Sequence, residues 1–314
     1  MEHKIVIADC DHDNIDIELD VLKSRGLPPC DWRRCITEQE VIDGCGDAEV
    51  LIIQYAKISR KVMEKLSNLK QVVRYGVGVD TVDLKAAKEH GITVCNVPDY
   101  GMNEVADQAM AHTLNLLRKV YLTNEHIREG VWDFNKIVPI HRFSEQTVGI
   151  IGLGRIGKQY AKRLHSFGFN IIATDDKVKD VPEYVTMVAY EDLLRRSDVI
   201  SVHCPADDNI DLIGEREFGL MKDGVYLINV SRGGIVNEQA LDRALTSGKI
   251  AGAGIDVVAQ EPMARDDCLL RHKNLSISPH MAWYSEESAK ELKRKVAEEA
   301  ARFVKGEAVH YSLV

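Results

Sequence analysis

The chain is 314 residues long, more than one ordinary hydrophobic core accommodates, so two domains are expected. Its composition, 45% hydrophobic with 28% charged and 6% aromatic residues, is that of a soluble globular protein. A net charge of −9 argues against nucleic acid or an anionic membrane as the main partner, so an anionic substrate needs a local cluster of positive charge.

Short apolar runs alternate with helical patterns from one end to the other, which reads as α/β with parallel sheets. The first part offers strands over 4–8, 50–54, 72–75 and 93–96, with a helix over 81–90 closed by Gly91. Val97-Pro98-Asp99-Tyr100-Gly101 is a turn-rich break. A long helix over 103–120 follows, and Val105, Ala106, Ala109, Met110, Thr113, Leu114, Leu116 and Leu117 make it apolar over most of its circumference. Such a helix is expected to be buried, as between domains or subunits. Residues 121–146 read as irregular and present Trp132 and Phe134.

A second α/β series starts at Thr147, with strands over 148–151, 171–174, 199–203, 226–229, 254–257 and 275–278. From Glu286 a charged amphipathic helix carries Leu292, Val296, Ala300, Phe303 and Val304. Its natural place is on the first domain, so that 101–284 interrupts a domain made of 1–100 and 285–314. Acidic Asp9, Asp11 and Asp13 follow the first apolar run, unlike a signal peptide, and no run reaches the ~18 apolar residues of a membrane span. The seven cysteines are odd in number and scattered, Cys30 and Cys35 being the nearest pair, which reads as free thiols in a reducing cytoplasm. The sequence shows no metal-ligand constellation.

The turn Gly152-Leu153-Gly154-Arg155-Ile156-Gly157 has the context a dinucleotide site requires: a strand leads in and an amphipathic helix leads out. A second strand ends in Asp175, eighteen residues after Gly157. Gly152 permits the tight turn, Gly154 lets the backbone approach a pyrophosphate, and Gly157 lets helix and strand pack closely. The helix N-terminus offers unpaired N–H groups to the phosphates. Asp175 can accept from the ribose 2′- and 3′-hydroxyls and repels a 2′-phosphate, which points to NAD rather than NADP.

Three further segments end consecutive strands: Asn229-Val230-Ser231-Arg232-Gly233-Gly234, Asp256 through Glu261-Pro262, and Ser278-Pro279-His280-Met281-Ala282-Trp283. Ligands of open parallel sheets bind outside the carboxyl ends of the strands, so an Arg, a Glu and a His are expected to converge on the nicotinamide.

These segments, with RYGVGVDTVDL (74–84) and NVPDYGMNEVADQA (96–109), resemble the D-isomer-specific 2-hydroxyacid dehydrogenases from about residue 50 onward. The resemblance implies a Rossmann NAD-binding domain inserted into a flavodoxin-like domain, with a small anionic 2-keto or 2-hydroxy acid as substrate. It implies His280 as acid/base, Glu261 as its carboxylate partner and Arg232 as the substrate anchor. The chemistry suits those types: reduction needs a proton on the carbonyl oxygen, and a histidine beside a carboxylate supplies it. An arginine holds a carboxylate in bidentate fashion. The resemblance further implies Arg74 and the N–H groups of Val77 and Gly78 as substrate contacts, and Asp256 as the group that holds the carboxamide. His203, Cys204, Pro205, Val230, Ser231 and Ala282 fall at cofactor positions, with a structural role for His203 equally open.

His280-Met281-Ala282-Trp283-Tyr284-Ser285 is similar to the subgroup containing the C-terminal-binding-protein corepressors, where the aromatic residue lines the substrate pocket; packing is the alternative for Trp283. Of the eleven histidines, His90, His112, His126, His165 and His272 read as surface or satisfied core residues. A homodimer is expected, from the resemblance and from the apolar content of 103–146. The chain ends soon after its last helix, which reads as lacking both the regulatory domain of long phosphoglycerate dehydrogenases and the tail of a corepressor. An NAD(H)-sensing interaction protein with vestigial catalysis is the alternative function.

Overall fold

The structure is a computed structural model and describes residues 4–206 and 209–314. It divides into two compact units, Met1–Gly101 with Ser285–Val314, and Met102–Tyr284.

The first unit begins β1 (Ile5–Ile7), α1 (Asp16–Ser24), β2 (Asp31–Trp32), α2 (Glu38–Gly44) and β3 (Val50–Ile53). It continues α3 (Arg60–Lys65), β4 (Gln71–Arg74), α4 (Leu84–Glu89) and β5 (Thr93–Cys95). The strands form one parallel sheet in the order β2-β1-β3-β4-β5. Right-handed crossovers then place α1 on one face and α2 to α4 on the other. The core strands are fully buried, as strands covered on both faces must be.

Strand β3 stops at Ile53 because the next three N–H groups turn to a side chain. Gln54 and Ala56 donate to the Asp9 carboxylate at 3.0 and 3.1 Å, and Tyr55 at 2.6 Å. Helix α4 starts at Leu84 rather than at 81. Thr81 accepts from Ile58 N at 2.8 Å and the Asp83 carboxylate caps Ala86 N at 2.8 Å, so 81–83 belong to a bridge and a cap.

The second unit opens with α5 (Met102–Arg118) and α6 (Val120–Arg128), then β6 (Thr147–Ile151), α7 (Arg155–Ser166), β7 (Asn170–Thr174) and β8 (Thr186–Met187). It continues α8 (Tyr190–Arg196), β9 (Val199–Val202), α9 (Glu215–Leu220), β10 (Val225–Asn229), α10 (Glu238–Ser247), β11 (Ile250–Ile255) and β12 (Leu275–Ile277). Its parallel sheet runs β12-β11-β10-β9-β6-β7-β8, so the strand order reverses at β6. That reversal makes the doubly wound Rossmann pattern, with a crevice at the carboxyl ends of β6 and β9.

Three expectations need correction here. Helix α5 is amphipathic rather than apolar all round: Ala106, Ala109, Met110, Leu116 and Leu117 are buried, while Asp107, Ala111 and Arg118 face solvent. The segment 121–146 is not wholly irregular. Lys119, at φ 52°, breaks the helix, and α6 then forms with no buried residue, so no burial periodicity marks it in the sequence. Strand β11 also begins earlier than expected, because Gly252 and Gly254 dilute its strand signal.

After Ser285 the chain returns to the first unit as α11 (Glu286–Val304), which packs on α1 and β4 through Leu292, Val296, Ala297 and Ala300. Ser285 caps it by accepting from Ser288 N at 2.9 Å.

Candidate active site

At the carboxyl end of β6 the chain turns through Gly152, whose φ is +92°. A Cβ on Gly152 would lie 2.8 Å from Cys204 N and from the His203 carbonyl carbon, so β9 runs too close for any side chain there. A Cβ on Gly157 would lie 2.2 Å from Gly152 O, which seats α7 tightly on the turn. Gly154 differs: a Cβ there meets nothing within 4 Å. Open space therefore lies at the start of α7, where Gly154 and Arg155 are exposed and the first N–H groups have no intrahelical acceptor. An anionic diphosphate fits that cradle.

Asp175, just past β7, holds the turn in place. Its Oδ2 accepts from Leu153 N at 2.7 Å, and its Oδ1 accepts from Lys177 N at 2.8 Å and Val178 N at 2.9 Å. Three of the roughly four acceptor directions of the carboxylate are thus taken, and the one left, on Oδ2, can accept from a ribose hydroxyl beside the turn.

Beyond β9, Cys204 is half-buried, and burial pushes its thiol up to about 11. Its carbonyl accepts from the Ser231 hydroxyl, joining the ends of β9 and β10. The His203 ring packs 5.0 Å from Tyr160 and its Nε2 pairs with Ser201 Oγ at 2.8 Å. Burial lowers its pKa to about 3, so the ring is neutral, and Nδ1 is buried without a partner. His203 thus meets the glycine turn with its backbone. Val230 and Ala282 are buried, and Pro205 is exposed.

Arg232 follows β10, its Nη1 donating to Ser231 O at 2.9 Å and its carbonyl accepting from Asn229 Nδ2 at 2.9 Å. Beyond β12, His280 Nδ1 lies 2.6 Å from Glu261 Oε2, with the two side chains 40% and 37% exposed, open enough for a ligand to reach. Partial burial opposes ionisation of Glu261. The hydrogen bond and charge of His280, the Val258 N–H and the charge of Arg232 outweigh it and hold the carboxyl below its ordinary range. Glu261 is therefore an anion wherever the protein is near neutrality. With Nδ1 tied to it, Nε2 is the His280 atom left to exchange a proton with a ligand.

The backbone of His280 is left-handed, at φ 52°, uncommon for a residue other than glycine. Several bonds hold it there. His280 N donates to Asp256 O at 2.8 Å and Ser278 O at 3.1 Å, and Trp283 Nε1 donates to His280 O at 3.1 Å. The buried Asp256 carboxylate accepts from Ala282 N at 2.8 Å, Met281 N at 3.1 Å and the Ser278 hydroxyl at 2.5 Å. Burial pushes the Asp256 carboxyl up, against those bonds and the charge of His280. Asp256 and Trp283 both tie down the histidine segment, a task that reading the sequence did not assign them. It also missed Ser278 and the residues of α5 that touch it, since nothing local in the chain signals a contact 166 residues away.

In the first unit, Arg74 ends β4 and the loop after it carries Val77 and Gly78. Arg74 Nε donates to Gln54 O at 3.3 Å, and the buried Tyr75 anchors the loop by donating to Glu18 at 2.7 Å. Val77 O accepts from Asn96 Nδ2 at 2.6 Å, and Val77 itself is exposed.

The family model described as D-isomer specific 2-hydroxyacid dehydrogenase, NAD binding domain, matches residues 110–282. The chain is 36% identical over 293 residues to a D-3-phosphoglycerate dehydrogenase of Archaeoglobus fulgidus, covering 92% of this chain and 55% of that protein. It is 36% identical over 280 residues to a hydroxypyruvate reductase of Blautia hydrogenotrophica, covering 87% of each. Among solved structures, D-lactate dehydrogenase from Aquifex aeolicus, complexed with NAD and lactic acid, matches with a TM-score of 0.88 at 27% identity. That match covers 97% of this chain and 96% of the other. The chain spans about half the length of the phosphoglycerate dehydrogenases it matches, 55% and 53%.

Proposed function

Because the chain belongs to the D-isomer-specific 2-hydroxyacid dehydrogenase family, we propose that it interconverts a small anionic 2-keto acid and the corresponding 2-hydroxy acid with NAD. The observation that carries this reading is the 2.6 Å pair of His280 Nδ1 with Glu261, set beside Arg232 at the strand ends that also carry the glycine turn.

When bound, NADH supplies the hydride that reduces the carbonyl carbon. His280 Nε2 gives its proton to the carbonyl oxygen as that oxygen becomes a hydroxyl, and in the reverse direction Nε2 takes the proton back. Glu261 stabilises the imidazolium and fixes the ring so that Nε2 points to the ligand. Arg232 holds the substrate carboxylate through its planar fork and stabilises charge on the carbonyl oxygen. Trp283 is the further substrate contact we assign.

Asp175 favours NAD over NADP, since a second phosphate would face a carboxylate already beside the turn. We place the protein in the cytoplasm, in keeping with seven cysteines that are all free thiols. We also propose a homodimer through the start of the second unit, where Val120, Tyr121, Trp132, Phe134 and Val138 are all exposed. A monomer by light scattering at micromolar concentration would refute that assembly.

The test of function is NADH oxidation with glyoxylate, hydroxypyruvate and other 2-keto acids, comparing wild type with His280→Ala. Turnover that collapses in the variant is expected. No turnover on any keto acid, with NADH still bound, would sink the enzyme reading in favour of a nucleotide-sensing role.

A further inference from the structure

Helix α5 crosses β11 on a face made of glycines. His112 sits over Gly254, where a Cβ would meet its Cβ, Cγ and Nδ1 at 2.6–3.0 Å. Leu116, one turn further, sits over Gly252, where a Cβ would come within 3.0 Å of its Cδ2. Four helical residues advance about 6 Å and two strand residues about 6.6 Å, so glycines two apart receive side chains four apart. The close approach brings a buried imidazole to the end of β11, two residues before Asp256.

The hydrogen bonds around His112 run in one direction. Ser278 Oγ lies 2.5 Å from Asp256 Oδ1, which commits its single proton to that carboxylate. Ser278 can then only accept, from Gln108 Nε2 at 3.0 Å and from His112 Nε2 at 3.2 Å. Gln108 Nε2 also lies 3.4 Å from His112 Nε2, a longer contact than the 3.2 Å one to Ser278, so we assign the proton to Nε2, with Nδ1 accepting from the Ser276 hydroxyl at 3.0 Å. Ser276 accepts in turn from Asn115 Nδ2 at 3.4 Å. Every donor from Asn115 to Ser278 points toward Asp256, and each bond polarises the next. Burial pushes the His112 pKa down to about 4, which keeps the ring neutral.

We infer that His112 is a positioning residue for His280, acting through Ser278 on the Asp256 carboxylate that holds segment 278–282. Asp256 carries the N–H groups of Met281 and Ala282, and its carbonyl carries that of His280. If the carboxylate swings away, the left-handed backbone at His280 loses what holds it, and Nδ1 leaves Glu261. A leucine could fill the same space but would leave Ser278 one donor short.

This inference rests on the reading of His280 as the proton-carrying group, and its test has an arm that needs no turnover. His112→Leu, His112→Gln and Ser278→Ala would be compared with wild type by amide hydrogen exchange at Met281 and Ala282, and by kcat and KM on the best keto acid. His112→Leu and Ser278→Ala should exchange these two amides at least tenfold faster, with kcat down at least tenfold and KM within threefold. His112→Gln, which keeps an N–H for Ser278, should stay within threefold of wild type in both. Should His112→Leu not fold, Ser278→Ala cuts the same link. Unchanged protection of Met281 and Ala282 when the link is cut, or equal loss in the leucine and glutamine variants, would overturn the inference. If the wild type reduces no keto acid, the proposed function falls, while the exchange rates still decide the positioning role.

Discussion

Replacing Gly154 and Gly157 separately with alanine should separate cofactor binding from stability at two positions three residues apart. At Gly157 the new methyl carbon would stand 2.2 Å from Gly152 O and 3.2 Å from its carbonyl carbon, where ordinary contact begins near 3.4 Å. Both partners are backbone, so no side chain can swing away. Overpacking of this kind costs about 1–3 kcal/mol. For a unit of this size each kcal/mol is worth about 2–4 °C, so Tm should fall by roughly 2–12 °C. At Gly154 the methyl meets nothing within 4 Å, and the φ of −71° suits alanine. Losing a glycine N-cap and gaining a stiffer unfolded chain nearly offset each other, so stability should stay within about 1 kcal/mol. The same methyl stands where phosphate oxygens must come within about 3 Å of the helix N–H groups. NADH should bind at least tenfold more weakly, a loss of about 1.4 kcal/mol or more. The assay is a fluorescence titration with NADH beside thermal melts with and without it. Saturating NADH at about 100 times Kd stabilises the wild type by about 2.7 kcal/mol, and a tenfold weaker Gly154→Ala should keep no more than about 1.4 kcal/mol of that at the same concentration. Wild-type affinity in Gly154→Ala, or a wild-type melt in Gly157→Ala, would refute the reasoning.

Glu261→Gln keeps an acceptor for His280 Nδ1 but removes the charge, so kcat should fall about tenfold to a hundredfold with KM little changed; a change confined to KM would contradict the role. Asp175→Asn leaves one oxygen for donors that the carboxylate divides, Leu153 N on Oδ2 and Lys177 N with Val178 N on Oδ1, so the amide NH2 meets an N–H and stability should fall by about 1–3 kcal/mol, roughly 2–12 °C in Tm. Its NADPH affinity should rise about tenfold relative to NADH, and an unchanged ratio would remove Asp175 as the discriminating group. Burial lowers the pKa values of His112 and His203 to about 4 and about 3, from the ordinary 6.5. Folding is then favoured above pH 6.5, where both states are neutral, and weakens as pH falls toward the folded values because the unfolded chain protonates first. His112 alone should cost about 2–3 kcal/mol between pH 7.5 and about pH 4.5. The unfolding free energy of His112→Gln should therefore drop less over that range, and equal drops would count against the assignment.

The parts of the molecule legible in the sequence are those whose reason is local. Ile150, Ile151, Gly152 and the start of α7 are contiguous, so the strand, the positive φ and the helix N-terminus can be read from a dozen residues. The ends of β10 and β11 close buried apolar runs, which brings Arg232 and Asp256 into view, while β12 is short and partly exposed and is marked by the Ser278-Pro279 turn that precedes His280. Strands β2 and β8 have two residues each, at or near the sheet edges, too short to alternate. Helix α6 has no fully buried residue, and its break from α5 at Lys119 is marked by neither glycine nor proline.

What stays hidden is the support beneath the histidine segment, because its reason is distributed. Gly252 and Gly254 look in the sequence like weak points in a strand, and they make physical sense only once His112 and Leu116 lie upon them. His112 looks like any core histidine until Ser278, 166 residues away, is seen to need a donor. Asp256, flanked by apolar residues, invites assignment to a ligand, yet three of its acceptor directions are taken by the segment that carries His280. A buried carboxylate engaged by neutral donors costs less to desolvate than one left bare, so it can be kept ionised where a rigid anchor is required. His280 is partly exposed, as the chemistry we propose for it needs access, and the residues that hold it are buried because holding it needs low dielectric and few alternatives. Sequence pattern finds the first kind and packing finds the second.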